Sequence, residues 1–161
     1  MKKNSRIALI GTQNAIGNAI LVQLKKLKYQ NISILNFDYN HKNLQIKILK
    51  FFKKINPEYV FLCIGKQGGI LFNRMYTAEL MLSNLISSSL TLNEAKDFKL
   101  KKLIYVSSSC IYPANLEQPL KTNKILSGFL EDTNKYYALA KIAGTYLCEA
   151  INKENKKNFI T

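Results

Sequence analysis

Residues 7–17 have the sequence Ile-Ala-Leu-Ile-Gly-Thr-Gln-Asn-Ala-Ile-Gly, a short apolar run followed by a loop with a glycine at each end. The apolar run predicts a buried strand, and Gly11 would make the tight turn that ends it. Residues 15–28 carry apolar side chains at helical spacing, so the loop is expected to open a helix. A loop in this position holds a dinucleotide pyrophosphate at the helix N-terminus. The stretch therefore predicts the first strand and helix of a nucleotide-binding α/β domain.

The rest of the chain continues this alternation of strands and helices. Strands are predicted at residues 32–37, 59–64 and 103–106, with the first residues of one more at 158–161, and helices at 44–55, 77–96 and 134–155. Such alternation implies right-handed βαβ units and a parallel sheet with helices on both faces. We expect an α/β fold: a Rossmann-type doubly wound parallel sheet of order 3-2-1-4-5, with residues 103–107 near one edge, truncated after the fifth strand and the start of the sixth. Residues 1–161 would form one NAD(P)-binding domain.

The composition argues against several other classes of protein. Hydrophobic residues make up 47% of the 161 residues, which argues against disorder, and no stretch reaches the ~20 apolar residues of a membrane span. Three cysteines without a CxxC pair indicate a reducing compartment, and we expect a cytoplasmic protein. Because His41 is the single histidine, no metal site is expected.

The net charge of +14 raises the question of nucleic-acid binding. Nearly all of the basic residues are lysines, and Arg6 and Arg74 are the only arginines. Bidentate recognition of bases and phosphates favours arginine. The many lysines, asparagines and isoleucines indicate a compositional bias instead, so we expect neither a nucleic-acid nor a membrane partner.

The glycine loop departs from a standard dinucleotide turn at its middle position. The spacing of Gly11, Asn14 and Gly17 resembles the GxxGxxG of extended short-chain dehydrogenases, with asparagine in place of the middle glycine. Gly17 would let the helix pack closely on the strand, whereas the middle glycine normally lets backbone approach phosphate. Asparagine tolerates left-handed backbone better than most residues, although its side chain occupies space. The loop therefore predicts either a dinucleotide site or an ordinary strand–helix turn that has lost cofactor binding.

Asp38 follows the second predicted strand, where an acidic residue binds the adenosine ribose hydroxyls in dinucleotide-binding folds. A carboxylate at this position would repel a 2′-phosphate, which favours NAD over NADP. The alternative is a turn aspartate, a common residue after strands.

Tyr137 and Lys141 are one helical turn apart, so their side chains face the same way. A nearby ammonium favours tyrosinate, so we expect Lys141 to lower the pKa of the Tyr137 phenol toward working pH. Ser108, at the C-terminal end of a predicted parallel strand, would hold a substrate carbonyl. A YxxxK pair alone also occurs as a solvated helix pair. The order of glycine loop, serine strand and YxxxK favours the catalytic interpretation.

Longer motifs resemble the GDP-L-fucose synthase (GDP-4-keto-6-deoxymannose epimerase/reductase) family of extended short-chain dehydrogenases, N-terminal portion only. The matches, in family order, are GGI at 68–70 with Asn73, then Asn84, SSCIYP at 108–113, Gln118-Pro119, Gly128 with Leu130-Glu131, Thr133-Asn134 and YALAKIAG at 137–144. The resemblance implies reductase roles for Ser108, Tyr137 and Lys141. It implies that Cys110 is the base that removes a proton beside the C4 ketone; taken alone, this cysteine would be a buried small hydrophobe.

The resemblance also implies a reaction and a cofactor. The complete enzyme would epimerise a GDP-keto-deoxysugar at C3 and C5 and reduce its 4-keto group with NAD(P)H, with Tyr137 supplying the proton to the ketone oxygen. A GDP-keto-heptose is equally compatible. The family prefers NADP, whereas Asp38 leaves NAD open. The implied cofactor contacts are Gly11, Thr12, Gln13, Asn14, Ala15, Ile16, Gly17, Asp38, Ile64, Gly65, Val106, Ser107 and Lys141.

Family members form dimers through two helices, so we expect a homodimer through helices 77–96 and 134–155. In this chain the residues available for the seam are Leu80, Met81, Leu85, Tyr136, Leu139, Ala140, Ala143 and Leu147.

The chain also departs from the family. Asp132 replaces the proline of the usual LEPTN stretch, and Thr122 falls where a glutamate is usual. The family's catalytic histidine and its C-terminal substrate domain are expected to be absent. The alternative to an enzyme is therefore a catalytically inactive remnant that binds dinucleotide or a partner subunit. A last strand that starts at Phe159 would leave an unpaired sheet edge, so we expect poor solubility without a partner.

Overall fold

Five parallel strands form one sheet in the computed structural model, which describes residues 1–37, 39 and 42–161. The strands are β1 (Arg6–Ile10), β2 (Asn31–Leu35), β3 (Tyr59–Leu62), β4 (Lys102–Tyr105) and β5 (Phe159–Ile160). The predicted α/β fold with a parallel sheet is therefore confirmed. Within the described residues the sheet ends at β5, and a sixth strand is not present.

The strand order is β2-β1-β3-β4-β5, so the predicted order 3-2-1-4-5 is wrong. β3 lies on the opposite side of β1 from β2, and β4 lies next to the edge strand β5. β1 is apolar on both faces, and residues 7–10 are at most 1% exposed, which suits the middle of a sheet. β2 suits an edge because its side chains are less buried and Ile34 is 42% exposed. The strand order therefore reverses between β1 and β3, where a crevice opens at the carboxyl ends of the strands.

Five helices accompany these strands in the described ranges. They are α1 (Ala15–Lys26), α2 (Leu44–Ile55), α3 (Ile70–Met75), α4 (Thr77–Lys96) and α5 (Lys135–Asn155). The helix predicted at 15–28 ends at Lys26, because Leu27 caps it and Lys28 has a left-handed φ of 59°. The short helix α3 was not predicted.

α4 and α5 pack against each other on the face of the sheet that α2 also covers. α4 presents small hydroxyl side chains to the interior, and they are satisfied locally: Ser87 and Thr91 donate to carbonyls four residues earlier at 2.5 and 2.7 Å. α5 passes close to β4 at Gly144, where a Cβ atom would lie 2.6 Å from the Tyr105 ring. This close packing places the first half of α5 over the carboxyl ends of β3 and β4.

The last strand, β5, is short and is held by a side-chain clamp. Asn152 in α5 donates to the Phe159 carbonyl at 2.6 Å and accepts from the Phe159 N–H at 2.8 Å. No helix in the part of the chain described here has the length and apolarity needed to cross a membrane.

Candidate active site

The loop between β1 and α1 requires glycine at both of its ends. Gly11 has a φ of +91°, and a Cβ atom there would lie 2.8 Å from the Cys63 carbonyl oxygen. A Cβ atom on Gly17 would lie 1.9 Å from the Gly11 carbonyl oxygen, which no local adjustment accommodates. The loop is therefore pressed against the end of β3 on one side and against α1 on the other.

Asn14 has an extended backbone, with φ −107° and ψ 165°, so the left-handed conformation considered for it is not used. Its side chain caps α1 by accepting from the Gly17 N–H at 2.9 Å. Its amide nitrogen donates to the carbonyls of Gly11 at 3.3 Å and Cys63 at 2.5 Å. The side chain thus ties the loop together instead of standing in the space above it.

The N-terminus of α1 opens onto a cavity of about 610 Å³ at the crevice between β1 and β3. In the described residues, the N–H groups of Ala15 and Ile16 donate no hydrogen bond to protein. Unpaired N–H groups at a helix N-terminus favour an anion such as phosphate. The lining is formed by Gly11, Gln13, Asn14, Ala15, Phe37, Tyr39, Ile64, Gly65, Lys66 and Gln67.

A smaller cavity of about 70 Å³ continues this space toward the predicted catalytic residues. The two cavities share Asn14, Ala15, Ile64, Gly65 and Gln67, and the smaller one adds Ile16, Cys63, Val106, Ser107, Tyr137 and Lys141. Most of the predicted cofactor residues therefore lie along one continuous groove.

Two predicted cofactor residues support the loop from outside the groove. Thr12 donates through its backbone N–H and its hydroxyl to the Asn36 side chain at 2.8 and 3.0 Å, and Gly17 is buried beneath the loop. Asp38 and His41 lie outside the described residues.

Four residues that line the larger cavity were not predicted: Phe37, Tyr39, Lys66 and Gln67. Tyr39 accepts a hydrogen bond from the Gly65 N–H through its hydroxyl at 3.0 Å. Lys66 pairs with Glu79 and lies 6.0 Å from the centre of the Tyr39 ring. All four residues follow β2 or β3 directly, and ligands in open α/β sheets bind beside such positions. That rule could have found them from the sequence.

The side chains of Tyr137 and Lys141 both lie close to Gly65. A Cβ atom on Gly65 would lie 3.2 Å from the Tyr137 hydroxyl and 3.6 Å from the Lys141 Nζ atom. Lys141 is 2% exposed, and its ammonium donates to the carbonyls of Ile64 at 2.6 Å and Val106 at 2.9 Å. The pair is thus a buried arrangement at the ends of β3 and β4, and the alternative of a solvated helix pair is wrong.

The expected lowering of the Tyr137 pKa does not occur. The pKa of Tyr137 is raised to about 12, chiefly by burial; Cys110 and Tyr39 add to the rise, and a hydrogen bond with Ser108 opposes it. The Lys141 ammonium is bonded to two backbone carbonyls instead, and burial lowers its own pKa to about 8. The prediction is wrong because burial removes water from the phenol, and Lys141 is not among the groups that shift its pKa.

Ser108 and Cys110 lie beside Tyr137, after the end of β4. Ser108 is extended, and its hydroxyl accepts from the Cys110 N–H at 3.3 Å. Both residues are partly exposed, whereas Tyr137 is buried. The four predicted catalytic residues are therefore together at one end of the groove. No group of three or more His, Cys, Asp or Glu side chains suited to a metal occurs in the described ranges.

This chain belongs to the NAD dependent epimerase/dehydratase family, whose model matches residues 7–161. It is 35% identical over 158 residues to a GDP-L-fucose synthase of Sinorhizobium fredii. The matched region covers 97% of this chain and 49% of the relative. It is 32% identical over 154 residues to a GDP-L-fucose synthase of Escherichia coli, which covers 96% of this chain and 48% of the relative. The predicted resemblance is confirmed at the level of the family.

Solved structures agree with the fold. GDP-mannoheptose C4 reductase (MlghC) from Campylobacter jejuni, solved with NADP bound, has a TM-score of 0.90 and 31% identity over 100% of this chain and 51% of that one. This chain spans about half the length of the curated relatives it matches.

Proposed function

We propose that this chain is the nucleotide-binding half of a sugar-nucleotide epimerase/reductase of the GDP-L-fucose synthase type. The observation that carries the proposal is that the Tyr137 hydroxyl and the Lys141 ammonium both lie beside Gly65, at the end of a groove that starts at the glycine loop. A proton donor beside a dinucleotide groove is the arrangement that reduction of a ketone requires.

The groove fits a nicotinamide dinucleotide. The unpaired N–H groups of Ala15 and Ile16 suit a pyrophosphate, and Gly11 and Gly17 let the loop that presents them pack closely on β3 and α1. Lys141 reaches the far end of the groove, where it would hold the ribose next to the nicotinamide. When bound, the cofactor supplies a hydride for the C4 carbonyl. We propose NADP, which the Campylobacter reductase binds; Asp38 keeps NAD as the alternative.

The chain's own residues would donate and remove the protons of the reaction. Tyr137 would protonate the ketone oxygen, and Ser108, which shares a hydrogen bond with it, would hold that oxygen in place. A phenol whose pKa is about 12 is fully protonated at neutral pH and is therefore ready to donate. Cys110 is partly exposed beside the pair, so it would remove the proton next to the ketone during epimerisation.

The substrate would be a GDP-keto-sugar. The curated relatives are GDP-L-fucose synthases, and the Campylobacter structure is a GDP-mannoheptose C4 reductase, so a keto-deoxyhexose and a keto-heptose are both included. We place the chain in the cytoplasm on the basis of its three free cysteines.

We also propose a homodimer through α4 and α5. Leu139, Ala143 and Tyr146 form an exposed stripe on α5, at the spacing of one helix face, and Leu82 is exposed on α4. Leu80 and Ala140, which were predicted for the seam, are buried in their own chain and cannot contribute. Light scattering at micromolar concentration should give twice the chain mass, and a monomer would contradict the dimer.

The proposed activity is tested by NADPH oxidation with GDP-4-keto-6-deoxymannose. Tyr137→Phe removes the proton donor and should abolish turnover while NADPH binding persists. Tyr136→Phe removes the neighbouring phenol, which does not line the groove, and should leave the rate unchanged. Turnover that survives Tyr137→Phe would show that the assigned roles are wrong.

A second candidate is a protein that binds dinucleotide without turnover, alone or with a partner subunit. It requires only the groove at the glycine loop, which is formed by described residues of this chain. Titration with NADPH and NADH separates the two: binding without turnover supports this second function, and binding of neither cofactor contradicts both.

A further inference from the structure

A chain of side-chain hydrogen bonds joins the start of α5 to the loop that forms one wall of the groove. The Glu131 carboxylate accepts from Asn134 Nδ2 at 2.9 Å, Asn134 Oδ1 accepts from Asn73 Nδ2 at 2.8 Å, and Asn73 Oδ1 accepts from the Gly68 N–H at 3.2 Å. These four residues are called the amide relay below. Asn73 is 5% exposed, so its bonds are made largely away from water.

The direction of every bond in the amide relay is determined by its two ends. The Gly68 N–H can only donate, so Asn73 must present its oxygen to Gly68 and its nitrogen to Asn134. The ionised Glu131 carboxylate can only accept, so Asn134 must present its nitrogen to Glu131 and its oxygen to Asn73. Neither asparagine can exchange the positions of its amide oxygen and nitrogen without losing hydrogen bonds on both sides.

Each end of the amide relay is hydrogen-bonded to backbone next to one part of the groove. Glu131 also accepts from the backbone N–H of Thr133 and of Asn134, both at 3.0 Å, directly before α5 begins. Tyr137 lies in the first turn of that helix. At the other end, Gly68 follows Gly65, Lys66 and Gln67, which line the groove. None of the four relay residues lines either cavity described here.

We propose that the amide relay is a positioning device, which holds the loop of residues 65–68 at a set distance from Tyr137. A dinucleotide that rests on this loop then lies beside the phenol. The inference rests on the proposed function, because it concerns the same groove. Asn73 and Asn134 are positioning residues, since they act through Gly68 and α5.

The proposal is tested by a double-mutant cycle on the two asparagines. Asn73→Leu removes the bonds to Gly68 and to Asn134, and Asn134→Leu removes the bonds to Asn73 and to the Glu131 carboxylate. The NADPH dissociation constant, measured by fluorescence titration well below Tm, should rise about 10-fold in each single variant, as expected for one buried hydrogen bond. Because both asparagines act through one relay, the double variant should stay within about 3-fold of the weaker-binding single variant instead of showing the product of the two effects.

A second route covers the case in which Asn73→Leu does not fold. Asn73→Ser and Asn134→Ser keep a small polar side chain that is too short to span the relay, and they replace the leucine variants in the same cycle. The control is Asn152→Asp, which loses the corresponding donor in the clamp on Phe159, far from the groove. Its Tm should fall while its NADPH dissociation constant stays unchanged.

The outcomes separate this proposal from the proposed function. If wild type binds NADPH and the effects of the two single variants multiply in the double variant, the amide relay is wrong and the proposed function stands. If wild type binds no dinucleotide, the proposed function fails, and the relay is judged by hydrogen exchange of the Gly68 amide. Exchange that is faster in both Asn73→Leu and Asn134→Leu supports the relay; exchange equal to the wild type in Asn134→Leu overturns it.

Discussion

Asn14 offers a direct test of the cofactor loop, because its side chain both caps α1 and ties the loop to β3. Asn14→Gly removes the bond to the Gly17 N–H and the two bonds to the carbonyls of Gly11 and Cys63. Replacing a cap by glycine costs a few tenths of a kcal/mol, and each of the other bonds contributes ~0.5–1.5 kcal/mol. We therefore expect the free energy of unfolding to fall by about 2 kcal/mol. For a domain of this size that corresponds to a Tm lower by roughly 4–8 °C.

The same variant should not weaken cofactor binding, because the bonds that it removes lie beneath the loop. Asn14→Asp should lower both the Tm and the affinity for NADPH. It keeps an oxygen for Gly17 but directs a carboxylate at two carbonyls, which lowers the Tm, and it adds negative charge where phosphate would bind, which weakens the binding of NADPH. Circular dichroism gives the Tm, and fluorescence titration gives the NADPH dissociation constant. Asn18→Asp, an equal charge change at an exposed position on α1, is the control.

Two results would refute this reasoning. An Asn14→Gly variant as stable as the wild type would mean that the three side-chain bonds contribute nothing. An Asn14→Asp variant that binds NADPH as tightly as Asn18→Asp would mean that phosphate does not lie at this loop.

Three further predictions concern stability. Burial lowers the pKa of Lys141 to about 8 from its ordinary value of 10.5, so between these pH values the folded state binds fewer protons than the unfolded state. Lys141 therefore contributes stability above pH 10.5 that is lost as the pH falls through 8. The Tm of wild type minus that of Lys141→Met should therefore rise from pH 7.5 to pH 10; a flat difference would contradict the buried ammonium. Gly17→Ala should prevent stable folding, since its Cβ would lie 1.9 Å from a backbone oxygen, whereas Gly69→Ala, with no atom within 4 Å, should change the free energy of unfolding by less than about 0.5 kcal/mol. Within the described residues no strand pairs with the outer side of β5, so the 161 residues expressed alone should aggregate; a soluble monomer with one sharp thermal transition would oppose this.

Much of the local structure was predictable from the sequence. The strands and the long helices follow from runs of apolar residues whose period is a property of neighbouring positions. Gly11 and Gly17 were recognised because a tight turn and a close helix contact each require the absence of a Cβ atom. The pairing of Tyr137 with Lys141 follows from their four-residue separation in one helix.

Other features of the site could not be obtained in this way. Left-handed backbone was considered for Asn14, but its backbone is extended and its side chain donates to the carbonyl of Cys63, just after β3 and 49 residues away. The pKa of Tyr137 was expected to fall, but it depends on how much water the packing of α5 on the sheet removes. Tyr39 and Lys66 carry no motif; their positions after β2 and β3 are the one signal for them in the sequence, and the observed strand order brings both to the glycine loop.

The sequence by itself determined the positions of the main elements, the glycine loop and the motifs that indicate the family, because each depends on residues close together in the chain. Only the tertiary structure decided the strand order, the partners of the Lys141 ammonium and the amide relay between α3 and α5. These features arise where distant segments meet. Every inner strand is apolar enough to neighbour any other, so the pattern of side chains leaves the order open until the helices pack and the buried polar groups find partners.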